Sequence, residues 1–472
     1  MRKHQFAAAL LGMALCGQAG AAATATSCHL PGAEEALRCV TLPVALDYAR
    51  PQAGSLKLHV TVAPSYREAA RPDPLFVLAG GPGQAGSEVI QLLSTAFKRA
   101  RATRDIVFID QRGTGLSGKL DCDDKATGED TLTETRQDAE MRACIGKSRA
   151  SFKDYTTANA ARDIEQVRLA LGYQQVNLWG GSYGTRLAQA YARAYPHSVR
   201  SMVLDGVAAP DQVIPAGGRD SQAALDKLFE QCGADAGCRK AYPNLRAEFM
   251  ALAKKVEGGV KVAMADPRTA APVTVQMTSS RYLGTIHSML YSPADARRIP
   301  FLVHSAYLGR WEPFVARRNL ASDYSTEGGA AVLLHLAVVC AEDVPRITPQ
   351  LLASDAAFLT RPTIERIPPL CQVMKVPAVA WQAPTPIAAP ALLLSGALDP
   401  VTPPHRAKEA ARFMPNAQQV VVANAGHGVA QLGCAPRLLR KFLDKPQDKL
   451  DTRCLSEIPA PTFQLGPAGP QP

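Results

Sequence analysis

The chain has 472 residues, which is more than one compact core usually needs, so we expect one large domain with an insertion, or two domains. Its formal net charge of +10 comes from Lys and Arg residues that are scattered without interleaved aromatic residues, a pattern that argues against nucleic-acid binding. Past the N-terminal region no apolar run reaches about eighteen residues, so the sequence also argues against insertion into a membrane.

The N-terminus has the features of a secretory signal peptide. A short basic start, "MRKHQ", precedes the apolar run "FAAALLGMAL", and Ala23 and Ala25 form an A-x-A cleavage site. We therefore expect residues 1–25 to be a signal peptide and the protein to be exported, either to a periplasm or to the outside of the cell.

Cysteine usage supports an oxidising compartment. Without Cys16, ten cysteines remain, and an even number in an exported chain predicts disulfides. Spacing alone leaves the connectivity open, but we favour pairs of sequential neighbours, each closing a short surface loop. These pairs are Cys28–Cys39, Cys122–Cys144, Cys232–Cys238, Cys340–Cys371 and Cys434–Cys454. The chain has no C-x-x-C motif, so a zinc site is not expected, and the acidic stretch at 121–130 lacks calcium-loop spacing.

Strand and helix patterns alternate through the first half of the mature chain. Alternating apolar residues in "SLKLHVTVAPS" indicate a strand with one buried face, and the continuous runs "PLFVLAG", "DIVFID" and "QVNLWG" indicate strands covered on both faces. Helical periodicity follows over 159–172 and in "GTRLAQAYARAYP", before the strand "RSMVLDGV". This alternation predicts the α/β class, with a mostly parallel central sheet, over 26–210.

The alternation stops near residue 211 and resumes near residue 386. Residues 211–385 contain mainly helical patches, such as "SQAALDKLFEQC", and are predicted to be an inserted helical cap domain. The α/β pattern returns over 386–455 in "APALLLSGALDPVTPP" and "AQQVVVANAGHG". The tail, 456–472, is rich in proline and is expected to be extended.

The glycine-rich stretch "LFVLAGGPGQAG" allows two interpretations. Gly81, Gly83 and Gly86 fit G-x-G-x-x-G, and Asp110 follows at the distance typical of a dinucleotide site. In such a site the loop opens a helix directly, whereas here Pro82 removes one amide and any helix starts beyond the third glycine. An exported protein also meets no steady nicotinamide pool. We therefore favour a loop whose backbone N–H groups bind a different anion.

The segment Gly180-Gly-Ser182-Tyr-Gly184 matches G-x-S-x-G between a predicted strand and a predicted helix. This setting is that of a nucleophile elbow, in which a sharp turn exposes the serine hydroxyl above the end of the sheet. Such a fold orders its catalytic residues as serine, acid, histidine. Asp399 follows the strand "ALLLSG", and His427 lies in a small-residue loop after the next strand.

We therefore predict a triad of Ser182, His427 and Asp399, because a serine hydroxyl needs a base and the base needs an orienting acid. Asp205 comes too soon after the elbow strand to be the preferred acid. An acyl-transfer site also needs two N–H donors for the oxyanion, and the amides of Gly81 and Tyr183 are the candidates. No metal or organic cofactor is expected.

Five motifs in this order resemble those of a known group. "AGGPG", "DQRGTGLS", "GGSYG", "GALDPVTP" and "NAGHG" are similar to segments of the secreted tripeptidyl-aminopeptidase and proline-iminopeptidase-like α/β-hydrolases, over about 70–210 and 335–435. The resemblance implies an aminopeptidase that binds the free α-amine of its substrate through acids of the cap, and Glu342 matches that role. Ala79 stands where the group has His and Tyr183 where it has Trp, so a preference for proline is not carried over.

The predicted function is therefore an exported serine hydrolase, an aminopeptidase that releases short peptides or single residues. Two alternatives stay open: a carboxylesterase on the same fold, and a non-catalytic binding protein that has kept the fold. The expected partner is a peptide or small acyl substrate. The oligomeric state and the length of the released fragment are left open.

Overall fold

The fold is taken from a computed structural model that describes residues 24–122, 131–266, 269–323, 329–355 and 358–469. Most of the predicted signal peptide and residues 123–130 of the acidic stretch lie outside these ranges, and so does the end of the tail. Within the described ranges, none of the helices combines the length and the apolar character needed to cross a bilayer.

Nine of the described strands form one twisted sheet in the order β1-β2-β3-β5-β4-β6-β7-β10-β11. From β5 to β11 neighbouring strands are parallel, whereas β1, β2 and β3 join antiparallel at one side. The strands are β1 Thr24–Cys28, β2 Leu37–Ala45, β3 Ser55–Ala63, β4 Leu75–Leu78, β5 Ile106–Ile109, β6 Val176–Gly181, β7 Val199–Asp205, β8 Val260–Ala265, β9 Pro272–Met277, β10 Ala391–Gly396 and β11 Ala417–Val422.

The burial of the strands explains their composition. Every residue of β4, β5 and β10 is buried, as expected for continuous apolar runs covered on both faces. The predicted strands of the α/β part are confirmed, and so is the mostly parallel sheet.

The described helices cover the sheet and fill the long connection between β7 and β10. They are α1 Lys98–Arg101, α2 Glu134–Lys147, α3 Thr157–Ala170, α4 Tyr183–Ala194, α5 Gly218–Ala234, α6 Ala236–Ala241, α7 Leu245–Glu257, α8 Ser279–Met289, α9 Pro293–Ala296, α10 Ile299–Tyr307, α11 Glu312–Asp323, α12 Val332–Glu342, α13 Pro349–Ser354, α14 Arg361–Met374, α15 Pro404–Ala411 and α16 Ala435–Asp444.

Two hydrophobic cores sandwich the sheet. On one face α3, α4 and α15 contribute residues such as Ile164, Leu187 and Ala407. On the other face α1 and α16 contribute residues such as Ala100 and Phe442. This three-layer arrangement leaves the ends of the parallel strands free to carry loops, which is where ligands bind in open α/β sheets.

The connection between β7 and β10 is an inserted, mainly helical segment with a core of its own. Its centre is aromatic: Phe249, Tyr282 and Phe314 are fully buried, and the rings of Tyr282 and Phe314 stack with centroids 5.3 Å apart. The segment also contains the antiparallel hairpin β8–β9, which the helical patterns did not predict. The bounds 211–385 of a cap domain stay a prediction.

All five predicted disulfides are confirmed. Cysteines that are neighbours in sequence are bonded in each case: Cys28–Cys39, Cys122–Cys144, Cys232–Cys238, Cys340–Cys371 and Cys434–Cys454. The fourth of these ties α14 to α12, a helix of the inserted segment that packs on the core of the sheet through Leu334 and Val338.

Candidate active site

Ser182 lies on the sharp turn between β6 and α4. Its φ of 55° and ψ of −123° put this non-glycine residue in a strained conformation, and such strain is typical of functional sites. The turn brings α4 against the neighbouring strand so closely that a Cβ on Gly184 would lie 2.0 Å from the Leu78 carbonyl oxygen. Only glycine fits there, which explains the second glycine of the motif.

Asp399 and His427 meet at the same edge of the sheet. They follow β10 and β11, which are parallel neighbours, and His427 Nδ1 lies 2.8 Å from Asp399 Oδ2. Asp399 is a buried carboxylate whose other oxygen accepts the amides of Val401 and Thr402, each at 2.9 Å. Since the carboxylate accepts the Nδ1 proton, the neutral imidazole carries its free lone pair on Nε2.

The contact between His427 and Asp399 shifts the pKa of both side chains. Burial alone would lower the pKa of His427, but the Asp399 carboxylate and its hydrogen bond raise that pKa above its usual value. Burial alone would raise the pKa of Asp399. The nearby His427 and the hydrogen bonds that the Asp399 carboxylate accepts hold that pKa below its usual value. The geometry therefore favours an ionised Asp399 that stabilises an imidazolium on His427.

The end of β7 joins the serine loop to the histidine loop. Ser182 N donates to the Asp205 carbonyl oxygen at 2.9 Å, and the Asp205 carboxylate accepts the amides of Val429 and Ala430 at 2.8 Å each. A Cβ on Gly206 would lie 3.0 Å from His427 Cε1. Asp205, the second-choice acid of the sequence, thus holds the two loops together, and burial raises its pKa to about 6.

Ser182 makes no side-chain hydrogen bond with His427 among the described residues. Catalytic hydrogen bonds are often long in an unliganded enzyme and shorten when substrate binds. The two residues nevertheless contact consecutive positions of the chain, since Ser182 N donates to the Asp205 carbonyl oxygen and His427 lies against Gly206.

The loop "AGGPG" lies beside the serine. A Cβ on Gly80 would lie 3.0 Å from Ser182 Cβ, and Gly81 adopts a φ of 105° that favours glycine. Neither the Gly81 nor the Tyr183 amide has a hydrogen-bond acceptor within the described ranges. Two free donors next to a serine are what an oxyanion requires.

The dinucleotide interpretation of this loop gains no support from the local structure. Its third glycine is followed by a short 3-10 helix, Ser87–Leu93, instead of an α-helix. Asp110 points into the protein, where it accepts hydrogen bonds from the Ser87 amide and hydroxyl and from the Leu116 amide. The Asp110 carboxylate is therefore occupied by hydrogen bonds within the protein and is not placed to bind a ribose hydroxyl.

Glu342 lies at the end of α12, and the chain itself satisfies both of its oxygens. They accept hydrogen bonds from the Thr157 amide at 2.7 Å and the Thr157 hydroxyl at 2.6 Å. The same hydroxyl lies 2.7 Å from the Tyr183 hydroxyl. Burial raises the pKa of Glu342. These contacts favour a role in capping α3, and the amine-binding role stays a prediction.

The inserted segment adds residues that the sequence did not reveal. The Tyr291 carbonyl accepts the His427 amide at 2.8 Å, and the Tyr291 ring packs edge-on against the imidazole at 4.9 Å between centroids. His287 in turn packs against Tyr291 and donates to or accepts from Ser221 at 3.0 Å. No pattern in the sequence marks these residues, because they lie on helices and a turn of the inserted segment, outside the recognised motifs.

Other histidines have partners elsewhere. His304 lies 2.9 Å from Glu248, and His405 lies 3.4 Å from Asp220. His304 lies on α10 and His405 on α15, whereas His427 lies in the loop that directly follows β11 and contacts Gly206 at the end of β7.

Comparisons with known proteins agree with this architecture. The family model for the α/β-hydrolase fold matches residues 73–430, more than half of the chain. A tripeptidyl aminopeptidase of Streptomyces coelicolor is 30% identical over 258 residues, covering 48% of this chain and 47% of that protein. Serine protease Hip1 of Mycobacterium tuberculosis is 30% identical over 221 residues, or 42% of each chain.

A proline iminopeptidase of Neisseria gonorrhoeae is 31% identical over 144 residues, covering 30% of this chain and 36% of that protein. The chain thus spans about half the length, or less, of these curated relatives. Because the family model matches most of this chain and the strand order is that of a mostly parallel sheet, the chain belongs to the α/β-hydrolase family.

Proposed function

We propose that the protein is an exported serine hydrolase, an aminopeptidase that releases short peptides or single residues from free N-termini. The observation that carries the proposal is the hydrogen bond from His427 to the buried Asp399 beside the strained turn at Ser182. Relatives named tripeptidyl aminopeptidase, serine protease and proline iminopeptidase support a peptidase over an esterase. Five disulfides and the signal-like N-terminus support export.

The reaction follows from the roles of these groups. His427 Nε2 takes the Ser182 hydroxyl proton while Oγ attacks the scissile carbonyl carbon, and the Gly81 and Tyr183 amides bind the oxyanion. The intermediate collapses as His427 protonates the leaving amine. Water, deprotonated by His427, then attacks the acyl-enzyme, and the proton returns to Ser182 as the acid is released.

A cavity of about 320 Å³ near His287 is our candidate for substrate side chains. It lies between α2, α8 and α14, and its wall is largely apolar, with Met141, Leu359 and Leu370 among its residues. His287 is separated from His427 by the Tyr291 ring.

The test is a panel of chromogenic peptides of one, two and three residues, each with a free and an acetylated N-terminus, assayed beside simple esters. Cleavage of the free-amine peptides only, with loss of activity in Ser182→Ala, supports the aminopeptidase. Equal turnover of both peptide forms, or of esters alone, supports a carboxylesterase. A folded protein that a fluorophosphonate does not label at Ser182 is a binding protein.

A further inference from the structure

Helix α12 contacts the loop that carries the Gly81 amide. At its N-terminal end the Ala331 amide donates to the Gly83 carbonyl at 2.9 Å. One turn later, His335 Nδ1 lies 3.2 Å from the Pro82 carbonyl oxygen. Because a carbonyl can only accept, the His335 ring donates this hydrogen bond. Two successive carbonyls of the loop are therefore held by one helix of the inserted segment.

The other end of α12 contacts the helix that carries the Tyr183 amide. Asp343, the residue that follows α12, is fully buried and accepts two hydrogen bonds from Arg186, each at 3.0 Å. Arg186 lies one turn into α4, next to the first residue of that helix, Tyr183. The Tyr183 side chain is held from the same side through Thr157 and Glu342.

Between these two contacts α12 is firmly seated. Leu334 and Val338 are buried against the core of the sheet, and Cys340 is bonded to Cys371 of α14. An α-helix rises about 1.5 Å per residue, so the helix is a stiff connection about 12 Å long from His335 to Asp343. Because α12 is stiff and is bound at both ends, it keeps the loop at Pro82 and the helix residue Arg186 at a fixed distance from each other.

We propose that α12 sets the spacing of the two oxyanion donors, with His335 and Asp343 as positioning residues. This inference rests on the proposed function, since it needs Gly81 and Tyr183 to bind an oxyanion. Donors contribute to the rate when they are already in place for the transition state. An error of about 1 Å in a reacting geometry can cost about a hundredfold in rate, so loosening either contact lowers kcat more than substrate affinity.

The decisive experiment compares two substitutions of His335 in the full chain. His335→Leu removes the donor to Pro82, whereas His335→Asn places an amide N–H close to the position of Nδ1. We expect His335→Leu to lower kcat about 10- to 100-fold with KM changed less than about threefold. We expect His335→Asn to recover most of that loss. His304→Gln, which alters a histidine–carboxylate pair elsewhere in the inserted segment, is the control and keeps the wild-type kcat.

A second readout separates positioning from stability. The rate of inactivation by a peptidyl phosphonate, whose phosphoryl oxygen occupies the oxyanion position, should fall in His335→Leu by the same factor as kcat/KM. A merely structural role would lower the melting temperature and leave both rates unchanged in the folded protein. Unchanged rates, a change confined to KM, or no recovery in His335→Asn would overturn the inference. If the phosphonate fails to modify the wild type, the proposed function itself is wrong, and this inference is overturned with it.

Discussion

At the scale of single residues, Asp399 both orients His427 and holds its own turn. It accepts four hydrogen bonds, from the amides of Val401 and Thr402, the Thr402 hydroxyl and the His427 ring. In Asp399→Asn a neutral amide replaces the carboxylate. The imidazolium of His427 then loses its counter-charge, and the neutral ring loses the acceptor that keeps its proton on Nδ1. We expect kcat to fall about 10³- to 10⁴-fold, measured on a free-amine peptide.

The matched control for that substitution is Asp451→Asn, which removes a carboxylate from an exposed pair with Arg453. It should leave kcat within about twofold of wild type, since exposed pairs contribute little. A fall of less than about tenfold in Asp399→Asn, with its circular dichroism unchanged, would contradict the assignment of Asp399 as the acid.

The raised pKa of His427 determines the acid side of the pH profile. His427 must be neutral to accept the serine proton, so kcat/KM should rise with pH, with a midpoint above the usual imidazole value of about 6.5. Asp399→Asn should move this midpoint down, because the charge that favours the imidazolium is gone. A profile measured from about pH 5 to 9 with its midpoint at or below about 6.5 would contradict this prediction.

The pKa shifts of His427 and Asp399 also make the stability of the fold depend on pH, in opposite directions. The raised pKa of His427 contributes stability below its unfolded value of about 6.5, and this is lost as the pH rises through the folded value. The lowered pKa of Asp399 contributes stability above its unfolded value of about 3.9, and this is lost as the pH falls through the folded value.

Glu342 is a residue for which sequence and structure point in different directions. Its contacts with Thr157 lead us to expect that Glu342→Gln lowers the melting temperature and leaves the preference for free over acetylated N-termini unchanged. Steady-state kinetics on paired substrates measures that preference. A rise in KM for the free-amine peptides alone would instead support the amine-binding role.

At the scale of elements, an ion pair joins α4 to the residue that follows α12: Asp343 is fully buried, and the Arg186 side chain is 12% exposed. Asp343→Ala leaves Arg186 with Glu342, 4.0 Å away, as its remaining carboxylate partner, so we expect the free energy of unfolding to fall by about 3 kcal/mol, the lower end of the range for a broken buried pair. Urea denaturation followed by circular dichroism measures it. Asp295→Ala, which removes a partly exposed partner of Arg317, serves as the control and should cost less than about 1 kcal/mol. Equal losses in the two variants would show that α12 is not anchored by this pair.

At the scale of the whole molecule, the disulfides differ in how much chain they close. Cys340–Cys371 spans 31 residues and Cys232–Cys238 spans 6. Loop-closure entropy predicts that replacing the first pair by alanines costs about 3–4 kcal/mol, and replacing the second costs about 2 kcal/mol. Thermal denaturation of the two double variants should rank them in this order. The reverse order would mean that native-state packing, and not loop length, governs their contributions.

Local patterns were enough to predict the scaffold and the order of the candidate triad. The continuous apolar runs identified β4, β5 and β10, and the serine motif between a strand and a helix identified the turn at Ser182. These features depend on residues close in sequence, whose spacing reports directly on burial and backbone geometry. The hairpin β8–β9 was missed because its strands alternate over only a few residues inside a region of helical patterns.

By itself, the sequence determined the sheet and the chain order of the candidate serine, acid and histidine, since these follow from periodicity and local turn chemistry. It left the disulfide connectivity open, and the structure decided for sequential neighbours. Only the tertiary structure decided what surrounds the candidate residues: Tyr291 against His427, Asp205 between the two loops, and α12 between the two candidate oxyanion donors. Such contacts join residues far apart along the chain, and they depend on how the inserted segment packs against the sheet, which no local spacing encodes.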